Sequence, residues 1–184
     1  METEIIELID TSIKIGLGAI IASFSSYMIT RYNHKADTQK EFFRRYIDTI
    51  ESITDSAERY YQKWTGFRST LDGVSKKTTE VGKTPASNSW NFIDEKDDEL
   101  VQARSDRMTA ISRLKLLKIE DVAKCLEDSI KIENELREIV MFKRIVPSVK
   151  EVKRFSVRMS KNRTEFYNLL SCYYNAKRFT QHNK

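Results

Sequence analysis

The chain has 184 residues, 40% hydrophobic and 32% charged, with a formal net charge of +5. That length carries one domain with a real core and not comfortably two. Five glycines and two prolines are too few for a strand-rich fold with its frequent turns, which excludes an all-β architecture and argues against an α/β enzyme.

Residues 1–30 are predicted to be a membrane-spanning helix, apolar over 5–30. No charged residue lies between Ile15 and Thr30, and the Lys14 ammonium is near enough to the start to snorkel toward headgroups. A hydrocarbon core about 30 Å thick needs roughly 20 helical residues, so the run from Ile13 must borrow Ile5, Ile6, Leu8 and Ile9 or thin the bilayer. Acids come first (Glu2, Glu4, Glu7, Asp10) and bases follow (Arg31, His34, Lys35, Lys40, Arg44, Arg45). The order is wrong for a cleaved signal and predicts a single pass through the inner membrane, N-terminus outside and the rest cytoplasmic. The competing assignment is a buried core helix; Tyr27 and Tyr32 beside the basic flank favour an interface belt.

Ser12, Gly16, Ala19, Ser23, Ser26 and Thr30 recur at alternating steps of four and three, which lays them along one helix face. Ile13, Leu17, Ile20, Ile21, Phe24 and Met28 lie on another. Small and hydroxylated residues suit close helix packing, and in a ring of such helices they would line a pore. Either use requires a homo-oligomer, since one span cannot enclose water.

Residues 31–71 are predicted to continue the span as a stalk helix, because Phe42, Phe43, Tyr46, Ile47, Ile50, Ile53, Ala57, Tyr60, Tyr61 and Trp64 keep a helical period and no glycine or proline lies between the span and Gly66. Residues 72–93 are assigned to a flexible loop, rich in Gly, Ser, Thr and Lys over 72–89 and containing Pro85. Gly82-Lys83-Thr84 lacks the earlier glycine of a phosphate-binding loop. Residues 94–184 then read as three helices, from Asp94, over about 120–144, and over about 148–179 after Pro147. Their inner faces carry Leu100, Ala103, Arg107, Ala110, Ile111 and Leu114; then Val122, Ala123, Leu126, Ile130, Leu136, Ile139 and Val140; then Val149, Val152, Phe155, Met159, Phe166, Leu169, Leu170 and Tyr173. The predicted fold is all-α: a membrane helix running into a stalk that packs with three further helices as an antiparallel four-helix unit.

Little of this chain is suited to catalysis. His34 sits at the membrane exit and His182 two residues from the end, and no nucleophile or dinucleotide motif is present. Asp94, Glu95, Asp97, Asp98 and Glu99 lack the glycine turn and ligand spacing of a calcium loop and read as a solvated first turn. Cys125 and Cys172, without C-x-x-C spacing or a nearby histidine, read as buried thiols in a reducing cytosol. No metal, cofactor or small-molecule substrate is expected. Residues 141–184 hold eleven basic and two acidic residues, a net +9 that leaves −4 for the rest. Lys150, Lys153, Arg154, Lys161, Arg158 and Arg163 form a candidate basic face for RNA phosphates or anionic lipid, unless it pairs with acids of its own oligomer.

The layout of one N-terminal span, a basic exit from Arg31 to Lys40, a long stalk and a cytoplasmic four-helix unit resembles the small membrane accessory protein of type VI-B CRISPR systems. The resemblance covers the whole chain in layout and carries no specific motif. It implies antiviral action beside an RNA-guided effector, a HEPN-like helical unit and assembly into a membrane pore. HEPN ribonucleases pair an Arg with a His across a dimer, at a wider spacing than the three residues between Arg178 and His182 or the two between Arg31 and His34. Only Lys177 has the spacing to His182. The expected function is a pore-forming effector and not an enzyme. Its alternatives are a membrane-tethered ribonuclease acting at Arg178 and His182, and a scaffold that recruits a cytosolic partner through the basic helix.

Overall fold

The computed structural model describes the backbone of residues 2–81 and 87–182, and the side chains of residues 22–34, 37–78 and 88–176. Every described element is helical: α1 (Glu2–Val81), α2 (Ser87–Gln102), α3 (Arg104–Leu116), α4 (Glu120–Arg137), a π-helical turn (Glu138–Phe142) and α5 (Val149–His182). The chain forms two units, Met1–Tyr46 and Ile47–Lys184.

Within the first unit, every described residue from 22 to 34 is exposed, the apolar Phe24, Met28 and Ile29 included. Among the described residues no helix is long and apolar enough to cross a membrane. Most of the predicted span, residues 5–21, has its side chains outside that set.

The second unit is an antiparallel four-helix bundle, and its polar contacts fix the directions. Along α1, Ser52, Arg59 and Lys63 meet Arg113, Asp106 and Glu99 in descending order, so α1 runs against α2 and α3. Glu58, Tyr61 and Ser75 meet Arg163, Asn162 and Pro147, which sets α5 against α1 as well. Asp97 and Arg107 reach Arg137 and Glu133 on α4, and Glu135 of α4 reaches Arg158 of α5. Helices therefore alternate up and down, as short connections dictate. The core holds Ile53, Ala57, Phe67, Leu71, Ile93, Leu100, Leu114, Leu126, Leu136, Phe155 and Phe166, all fully buried or nearly so.

Three boundaries depart from the sequence prediction. Where a loop was expected over 72–93, α1 continues to Val81 and α2 starts at Ser87. Leu71, Val74 and Ser75 recur at i, i+3 and i+4 and are buried, and Ser75 Oγ donates 2.7 Å to the Pro147 carbonyl. Tertiary burial here outweighs a composition poor in apolar residues. The helix expected from Asp94 is interrupted at Ala103, although helical backbone bonds persist on both sides (Ala103 N to Glu99 O 3.1 Å, Arg107 N to Ala103 O 3.2 Å). The third helix closes in the π turn, with Arg144 beyond it at φ +51°.

Helix ends follow local chemistry. Ile119 N donates to Leu114 O and Lys118 N to Lys115 O, both at 3.0 Å, with Lys118 at φ +57°. That is a Schellman close in which Lys stands where Gly is usual, sealed by buried Leu114 and Ile119. Before α5, Ser148 and Glu151 form a capping box: Ser148 N donates 2.9 Å to the Glu151 carboxylate, and Glu151 N 3.3 Å to Ser148 Oγ.

Candidate functional site

The first candidate is the small-residue seam. Ser23, Ser26 and Thr30 are exposed; the side chains of Ser12, Gly16 and Ala19 lie outside the described residues. Phe24 and Met28, on the seam's apolar neighbouring face, are exposed as well.

The second is the basic face of α5. Val152, Phe155, Met159, Asn162, Phe166 and Leu170 turn inward. At 100° per residue, Lys150, Lys153, Arg154, Val157 and Lys161 fall opposite them, and all five are exposed. The four cations make no ion pair among the described residues, although Arg154 lies over the Phe155 ring at 5.4 Å. Arg158 and Arg163 do not share that face freely. Arg158 grips Glu135 with both ends of its fork, and Arg163 Nη2 donates 2.7 Å to each oxygen of Glu58, which also accepts from Tyr167 Oη at 2.7 Å. The predicted six-residue face is therefore a stripe of four outward cations flanked by two clamped arginines. Spacing alone could not separate them, because their acids lie 23 and 105 residues away in sequence.

The carboxylate cluster does not form a solvated first turn. It lies from the middle of α2 onward, and four of its members meet cations, Glu95 through Lys96 at 3.6 Å. Asp97 is buried and accepts from Arg137 Nε at 2.6 Å and Nη2 at 2.7 Å; Asp94 accepts from Arg144 at 2.6 Å; Glu99 meets Lys63 at 2.9 Å and also Lys96. Lys96 first, then Lys63, holds the Glu99 carboxyl down to about 2. Among the described residues no group of three or more His, Cys, Asp or Glu is placed to hold a metal.

A buried polar cluster went unread in the sequence. Glu133, fully buried, accepts from Arg104 Nε at 2.7 Å, from Tyr60 Oη at 3.1 Å and from Arg107 Nη1. Arg107 is 3% exposed and stacks 4.4 Å from the Tyr60 ring, while its Nε has no hydrogen-bond partner among the described residues. Burial pushes the Tyr60 hydroxyl well above its ordinary range. Glu133, Arg107 and Tyr60 lie inside the bundle and Arg104, 31% exposed, reaches its surface, so the cluster ties α1, α3 and α4 together. Its signal was Arg107 on an otherwise apolar face, which demands a buried acid somewhere.

The thiols differ from each other. Cys125 is buried, with burial pushing its thiol up to about 12, and its Sγ lies 3.3 Å from the Asn162 carbonyl. Cys172 is exposed, against the expectation, because it falls on the outer side of α5 beside exposed Ser171. His34 is exposed; Arg178 and His182 have side chains outside the described residues. No known protein family, curated protein or solved structure matches the chain.

Proposed function

We propose that the chain is a membrane-anchored effector whose N-terminal helices assemble through the Ser23, Ser26, Thr30 seam into a pore, with the helical bundle on the cytoplasmic side. The observation that carries this reading is the exposure of every residue from 22 to 34, Phe24, Met28 and Ile29 among them, because an apolar helix surface left uncovered by its own chain suits lipid or another copy. Sequence supports it: from Ile13 to Thr30 the one charge is Lys14, and a basic flank follows. The antiviral setting and the HEPN-like character of the bundle belong to the same proposal and rest on the layout resemblance. Leucine at Ser23 and Ser26 tests it. The double variant is expected to stay in the membrane fraction and to lose ion leakage; leakage equal to that of the unchanged chain would remove the seam from the pore.

The outward stripe Lys150, Lys153, Arg154 and Lys161 favours a second reading, a membrane scaffold that holds a polyanionic cytosolic partner. An intact membrane potential in cells that express the chain with its partner would select the scaffold over the pore.

A further inference from the structure

Between α1 and α5 of the second unit lies a groove of about 190 Å3. From α1 come Tyr61, Trp64, Thr65 and Arg68, and from α5 Ser156, Met159, Ser160 and Arg163. Each set has the spacing i, i+3, i+4, i+7, so each is a single helix face. Because the two helices run antiparallel, Arg163 stands at the Tyr61 end, 5.8 Å from its ring, and Arg68 at the Ser156 end. Buried Tyr61, Trp64 and Met159 make an apolar floor; no carboxylate lines the walls.

The groove's polar groups are unequal. Arg163 is neutralised in place by Glu58, and the Thr65 hydroxyl donates 2.8 Å to the Tyr61 carbonyl. Arg68 is half-buried and makes no ion pair or hydrogen bond among the described residues, and the hydroxyls of Ser156 and Ser160 have no partner there either. A half-buried guanidinium that lines the same groove as two unengaged hydroxyls, with no acid in that lining, is a donor set suited to an anion.

We propose that this groove binds a phosphomonoester, with the Arg68 fork on two of its oxygens and Ser156 and Ser160 donating to it from the opposite helix. Donors converging from two helices suit a tetrahedral phosphate better than a planar carboxylate. Single-stranded nucleic acid does not fit, since Tyr61 and Trp64, at 1% and 3% exposure, offer no face for a base to stack on. The inference concerns the unit Ile47–Lys184 and does not depend on the membrane reading.

A soluble phosphomonoester and the headgroup of phosphatidic acid offer the same chemistry, and the test separates them. The chain has two tryptophans, so Trp90→Phe leaves Trp64 as the groove's own fluorophore. The full-length variant in a maltoside detergent is titrated with glycerol 3-phosphate at fixed ionic strength, and in parallel reconstituted into phosphatidylcholine vesicles with and without phosphatidic acid. A saturable change in Trp64 emission is expected, weakened about tenfold to a hundredfold by Arg68→Ala. Response to glycerol 3-phosphate identifies a soluble ligand; an Arg68-dependent response to phosphatidic acid alone identifies the headgroup. Should Arg68→Ala fail to fold, the Ser156→Ala/Ser160→Ala pair takes its place. No saturable response to either phosphate, or one that persists undiminished in a folded variant, overturns the proposal.

Discussion

Glu133 has no exposed surface, and its charge is met by two arginines and a tyrosine hydroxyl, so the cost of losing a partner depends on what is left behind. Arg107→Ala removes the fully buried cation and opens a cavity while Arg104 and Tyr60 stay. The expected loss is about 3 kcal/mol, the low end for breaking a buried pair, read from urea unfolding. A loss below about 1 kcal/mol would mean that Arg104 alone balances the carboxylate. Glu99 is a different case, held by two partly exposed lysines. Its folded carboxyl titrates at about 2 against an ordinary 4.5, so its stabilisation is present above 4.5 and disappears as pH falls toward 2. Glu99→Gln should therefore melt lower than the unchanged chain at neutral pH, with the gap in Tm closing across that window; a gap constant with pH would contradict the assignment.

At the scale of elements, helix ends were chosen by local hydrogen bonding and tertiary burial together. Lys118 occupies the left-handed position of the Schellman close after α3, where a side chain costs energy that glycine does not. Lys118→Gly is expected to raise stability by roughly 0.5–1 kcal/mol, a gain limited by glycine's greater freedom in the unfolded chain. Unchanged or lower stability in the melt would show that the exposed Lys118 side chain contributes something the strain conceals. These ends also explain what was legible in the sequence. Much of the inner faces of α3, α4 and α5 was readable because apolar residues such as Leu114, Leu126 and Phe166 keep a helical period, whereas Ile130, Ile139, Val149, Leu169 and Tyr173 are only half-buried. The helix through 72–81 was not, since its register is set by Leu71, Val74 and the Ser75 bond to Pro147, a partner 72 residues away. The same limit hid the pairing of Asp97 with Arg137 and of Glu58 with Arg163, which turned an apparent acidic first turn and a uniform basic face into clamps between helices.

For the whole molecule, the up-and-down bundle withdraws Ile53, Phe67, Leu100, Leu126 and Phe155 almost fully from water and leaves Phe92, Leu116 and Phe142 among its exposed apolar residues. In the first unit Phe24, Met28 and Ile29 lie within six residues of one another and keep 51–65% of their surface exposed. Burying such side chains is worth roughly 1.5–3 kcal/mol each, so a helix carrying several of them is driven toward lipid or toward copies of itself. In the proposed assembly the hydroxyls of Ser23, Ser26 and Thr30 would give that association a preferred face, and enclosing water would need several helices in a ring. The mass of the detergent-solubilised particle, with bound detergent subtracted, tests this most directly. Six or more copies of the 21.6 kDa chain are expected, on the order of what a water-filled ring of single helices requires. A monomer or dimer would contradict the pore, because too few helices would be present to surround a channel.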